Sequence, residues 1–117
     1  MANIKSYKFL AEGIGEVTFK VNHDIMTDTM FEEVNMFFVG AADRLKRNVG
    51  NLLHAVLRMY ANSFFDVLHA LDPVGRFNIT TEGFYPLGSN YGIAVSSFER
   101  IELDESDITL LEVKDGV

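Results

Sequence analysis

The sequence predicts an α+β fold: an antiparallel sheet of about five strands, in the order β-β-α-α-β-β-β, with an antiparallel helical hairpin on one face. Three observations predict it. Hydropathy alternates with period two at the start of the chain. It changes to helical spacing between about residues 29 and 71, and returns to period two from Arg76.

EVTFKV, residues 16–21, alternates strictly, with Val17, Phe19 and Val21 on one face and Glu16, Thr18 and Lys20 on the other. KSYKFLA precedes it, with Tyr7 and Phe9 together, and the EGIG link carries the glycines of a tight hairpin. Thr29 with Glu32 fits a helix capping box, with Thr27 as an alternative cap. Met30, Phe31, Val34, Phe37, Phe38, Ala41 and Leu45 then share one helical face, and Arg44, Lys46 and Arg47 suit the last turn. Gly40 falls inside this predicted helix, where glycine costs about 1 kcal/mol relative to alanine.

A second helix is predicted over 51–71, its stripe formed by Leu53, Val56, Leu57, Tyr60, Phe64, Val67, Leu68 and Leu71, with Asp72-Pro73 as its stop. RFNIT reads as a strand with Phe77 and Ile79 inward. IAVSSFERIEL reads as another, with a bulge near Ser96-Ser97 where the alternation slips. DESD turns the chain and ITLLEV makes the last strand. With no internal repeat and no low-complexity linker, one domain over 1–117 is predicted.

The 117 residues are 48% hydrophobic, which is ample for a core and argues against disorder. The chain has no cysteine, so disulfides, thiolate zinc sites and cysteine nucleophiles are excluded. MANIKSYKFL lacks the apolar run of a signal peptide, and no window is apolar enough to span a membrane, so a cytoplasmic location is expected. The net charge is −7, and residues 99–117 hold seven acids against two bases. With no basic footprint, direct nucleic-acid binding is not expected. The acidic end either keeps the chain soluble or presents an acidic face, with Glu102, Asp104 and Glu105, to a protein partner.

On the back of the second helix, His54, Arg58, Asn62, Phe65 and His69 fall in one sector at 100° per residue. A Phe facing water forgoes roughly 1.5–3 kcal/mol of burial, so either the monomer covers Phe65 or a partner does. This face is a predicted protein contact, homo-oligomeric or otherwise. His54 and His69 lie about 22 Å apart along a helix and cannot share an ion, so no metal or other cofactor is expected. Asp66 with His69 offers a general base without an accompanying nucleophile, and the chain is not expected to be an enzyme. The loop TEGFYPLGSNYGI, residues 81–93, is either self-packed or a ligand-binding loop with Phe84, Tyr85 and Tyr91 at its site. It contains no lysine and no phosphate-loop pattern.

The segments MTDTMFEEVNMFFVGAADRL, NLLHAVLRMYA, EGFYPLGSNYGI and LDESDITL resemble a bacterial family, domain-of-unknown-function family 2528, over most of the chain. Similar proteins often have tryptophan where this chain has Phe38 and Phe84. The resemblance implies a prophage or plasmid context and assigns no residue a role. The function expected from it is a small non-enzymatic interaction protein that binds a host or partner protein, with small-ligand binding as the alternative.

Overall fold

The computed structural model describes residues 3–102 and 104–115. Strand β1 (Ile4–Ala11) and strand β2 (Gly15–Asn22) form the predicted hairpin, paired from Ile4↔Asn22 to Ala11↔Gly15. Strand β3 (Ile93–Arg100) joins β2, so the sheet is antiparallel with order β1-β2-β3. Val17, Phe19 and Val21 of the central strand are fully buried under the helices, while Lys20 on the other face is exposed.

The predicted bulge is present. Phe19 pairs with Val95 but Thr18 pairs with Ser97, leaving Ser96 as the extra residue. The shift keeps Phe98 opposite Val17 on the core face, 5.6 Å from the Phe64 ring. Position 103, at the end of the predicted strand, lies outside the described residues.

The prediction of about five strands is corrected to three, and the order to β-β-α-α-α-α-β. RFNIT lies in helix α4 (Pro73–Thr80), where Phe77 is buried but Ile79 is 83% exposed. Asp72-Pro73 does stop one helix, but it also starts the next. Asp72 caps α4 by accepting a hydrogen bond from the Gly75 N–H at 3.1 Å, and Pro73 occupies the first turn, where its missing donor costs nothing. ITLLEV is no strand either. Residues 108–113 have no ladder partner among the described residues, and all are exposed.

The first predicted helix is two: α1 (Asp28–Phe37) and α2 (Ala41–Arg47). Gly40 sits between them at φ 85°, a left-handed conformation that lets the chain break and restart. Arg44 holds the break together. Its guanidinium donates to the Asn35 side chain at 2.7 Å, the Asn35 carbonyl at 3.0 Å and the Val39 carbonyl at 2.7 Å. Helix α3 (Leu52–Asp66) is shorter than predicted, so Leu71 lies beyond it and is fully exposed.

Between α2 and α3, Val49 adopts φ 57° and is 94% exposed. A β-branched residue there carries roughly 1–2 kcal/mol of left-handed strain and gains nothing from burial. Val49→Asn is therefore expected to raise stability by about 1 kcal/mol, read as a higher denaturant midpoint. A lower midpoint would show that Val49 serves some contact.

Beyond β3 the chain leaves the body as an arm. The Ile101 N–H donates to the Ile14 carbonyl at 3.0 Å, then a 3-10 turn, Glu105–Asp107, redirects the chain. The radius of gyration is 17.5 Å, against roughly 13 Å for a compact chain of this length. The projecting arm accounts for the excess, stretching the long dimension to 64 Å against 30 and 25 Å.

Candidate functional site: a groove between β1 and α3

Asn51 starts α3 by accepting a hydrogen bond from the His54 N–H at 3.0 Å. From that start, helical spacing brings His54, Arg58, Asn62 and Phe65 to one face, as predicted. That face meets β1. Together they form an open groove of about 720 Å³, lined by residues 6–11 of β1 and by these four side chains with Ala61. Phe65 is half-buried: it packs against the core and also lines the groove.

The two walls run the same way. Phe19, paired with Tyr7, packs on Tyr60 and Phe64 at 6.2 and 6.5 Å. Gly15, paired with Ala11, lies against Leu68. Moving from Tyr7 to Ala11 therefore follows α3 from Tyr60 towards Leu68. His54 lies nearer the start of β1 and Phe65 nearer its end, giving the groove a basic end and an apolar end.

No acid lines the groove. Lys8 belongs to its wall but leans to the other sheet face, 3.3 Å from Glu16. The hydroxyl of Tyr7 hydrogen-bonds His23 Nε2 at 2.9 Å, and burial raises its pKa above the ordinary value. Because the sheet order is β1-β2-β3, the outer edge of β1 has no strand beside it among the described residues. Its backbone donors and acceptors therefore face the groove unpaired with any strand.

The remaining predicted residues are elsewhere. His69 lies past the end of α3, exposed and outside the groove lining, because the helix ends at Asp66 and the 100° spacing no longer applies. Glu102, Asp104 and Glu105 are exposed on the arm. Asp104 caps the 3-10 turn, accepting from the Glu105 N–H at 2.8 Å and from the Ser106 hydroxyl at 2.9 Å. Among the described residues, no three His, Asp or Glu side chains are grouped to hold a metal ion.

The first half of the 81–93 loop packs on helices. The Phe84 ring lies 4.6 Å from Tyr60, 5.0 Å from Phe38 and 5.5 Å from Phe77. Asn78 brackets Leu87, accepting from its N–H at 2.7 Å and donating to its carbonyl at 3.0 Å. The Tyr85 hydroxyl donates to Glu33, and that bond chiefly raises its pKa. Phe84 and Tyr85 border a cleft of about 260 Å³ that Tyr91 does not reach. Ligand pockets ordinarily hold ~300–1,000 Å³, so this cleft is small for one.

Sequence reasoning missed β1 as the second wall, since periodicity reports which face is turned inward but not which strand lies alongside. It also missed the apolar arm residues Ile108, Leu110, Leu111 and Val113, assigned to the sheet but 69–91% exposed.

The family described as "Protein of unknown function (DUF2528)" matches residues 16–110. Two curated relatives are the lambda prophage-derived protein ea10 of Escherichia coli O6:H1 (strain CFT073) and protein ea10 of Escherichia phage lambda. Each is 27% identical over 116 residues, covering 92% of this chain and 94% of the relative. No solved structure matches.

Proposed function

The chain belongs to the DUF2528 family of proteins of unknown function, and from that premise we propose that it is a non-enzymatic interaction protein of prophage type. It binds a protein partner through the groove between β1 and α3. The observation that carries this reading is the open β1 edge lying beside half-buried Phe65 and the Arg58 and His54 side chains of α3. An extended peptide adds to such an edge as a strand, its backbone supplying the hydrogen bonds and its alternate side chains the specificity. Phe9 and Phe65 accept apolar side chains; Arg58 and His54 favour an acidic one. The relatives' names, both tied to phage lambda, support the mobile-element setting.

Tagged full-length protein incubated with bacterial lysate and read by native mass spectrometry tests this. A retained protein is expected to be lost on Phe65→Asp and on Arg58→Glu, with far-UV circular dichroism unchanged. If nothing is retained, the reading of a partner from the lysate fails; if the retained protein survives both substitutions, the groove is not its binding surface.

A further inference from the structure

The arm carries an unused strand. Residues 108–113 hold four exposed large apolar side chains, although the segment has strong β propensity. Exposed, flat, apolar segments pair with open sheet edges, and β1 offers such an edge. The lengths agree, since six residues of β1 line the groove and six form the arm segment.

Side-chain order sets the direction. As a strand, the segment turns Ile108, Leu110 and Glu112 to one face and Thr109, Leu111 and Val113 to the other. Laid antiparallel to β1, it brings Ile108 and Leu110 to the apolar end of the groove, beside Phe65. Glu112 then reaches the basic end, at Arg58 and His54. The parallel direction reverses this match and sets Glu112 against Phe65. In the arm as it stands, Glu112 lies 3.5 Å from Lys114, an exposed pair that holds it weakly.

We infer that residues 108–113 of one copy seat as a fourth strand on the β1 edge of a second copy, in the groove between β1 and α3. This rests on the reading of the groove as a peptide seat and names its occupant. The arm exits at the hairpin tip on the β3 side and projects from its own body, which presents it to a neighbour. Exchange by both copies closes a two-fold dimer, in which each surface is met by its own counterpart.

Full-length protein is expected to be dimeric by light scattering at micromolar concentration. Leu110→Asp and Arg58→Glu should each weaken dimerisation by about tenfold or more. Arg58→Glu combined with Glu112→Arg should recover part of the loss. The antiparallel register sets Leu111 beside Lys8 on the outer face, within cross-strand disulfide reach. In this cysteine-free chain, Lys8→Cys with Leu111→Cys should give a covalent dimer on a non-reducing gel.

An intramolecular disulfide, or a dimer untouched by Leu110→Asp, would overturn the exchange. So would a monomer at every concentration. In that last case a synthetic peptide of residues 104–115, titrated into the Leu110→Asp chain, separates the two ideas. Binding that is lost with Arg58→Glu keeps the groove as a strand seat and removes only the exchange. No binding removes both.

Discussion

Tyr60→Ala is expected to cost about 3–5 kcal/mol, the range for deleting a large buried aromatic side chain. Tyr60 is fully buried and touches every layer of the fold. Its ring lies 6.2 Å from Phe19 of the sheet, stacks on Phe77 of α4 at 5.7 Å and meets Phe84 of the loop edge-on at 4.6 Å. Its hydroxyl donates to the Tyr85 carbonyl at 3.0 Å. Tyr60→Phe keeps the ring and removes that bond, at about 1–3 kcal/mol. The gap between the two variants, from denaturant midpoints at equal slope, separates packing from hydrogen bonding. A Tyr60→Ala loss below about 1 kcal/mol would mean that the aromatic cluster is not the core.

The same hydroxyl gives a pH dependence. Burial pushes its pKa well above the ordinary 10.0. Above pH 10 the unfolded chain releases this proton while the folded chain still holds it, so the unfolded state gains. The contribution is complete below the unfolded pKa and is lost as pH rises towards the folded one. Wild type should therefore lose stability above pH 10 more steeply than Tyr60→Phe, and parallel curves would assign the alkaline slope to other groups.

Gly92→Ala is expected to destabilise by about 2–5 kcal/mol, combining left-handed strain with overpacking. Gly92 is buried at φ 91°, where the loop enters β3. A Cβ there would stand 2.6 Å from the Met26 backbone nitrogen and 2.9 Å from Met26 Cβ. The backbone has little room to yield, because the Gly92 carbonyl accepts from the Asn22 N–H at 2.7 Å. Gly13→Ala is the control: its φ is 78°, yet a Cβ meets nothing within 4 Å. It should lose only the conformational part, about 1–2 kcal/mol. Equal losses in the two variants would refute the steric contribution at Gly92.

Both sites lie at junctions between elements, and there sequence and structure part company. The β1–β2 hairpin was legible because eight-residue strands with one wet face alternate for long enough to be unmistakable. The bulge at Ser96 was legible because two serines interrupt that alternation before Phe98. RFNIT was not, since five residues alternate about as readily by chance, and Asp72-Pro73 suits the end of one helix as well as the start of the next. Gly40 stands inside an apolar stripe, and a glycine there does not reveal whether the helix tolerates it or breaks. Arg44 decides that here by satisfying the carbonyls that the break exposes.

The candidate site divides in the same way. Helical spacing alone placed His54, Arg58, Asn62 and Phe65 on one face, because 3.6 residues per turn is a local property of the backbone. It failed at His69, because where a helix ends depends on what it packs against. By itself, then, the sequence determined the α+β class, the hairpin with its inward faces, the polar face of α3 and the acidic end of the chain. Only the tertiary structure decided that β1 is an open edge, that this edge lies beside Phe65, and that the apolar arm stands unpaired. Side-chain periodicity acts between near neighbours, whereas strand pairing joins segments distant in sequence and is settled by which surfaces the whole fold leaves uncovered.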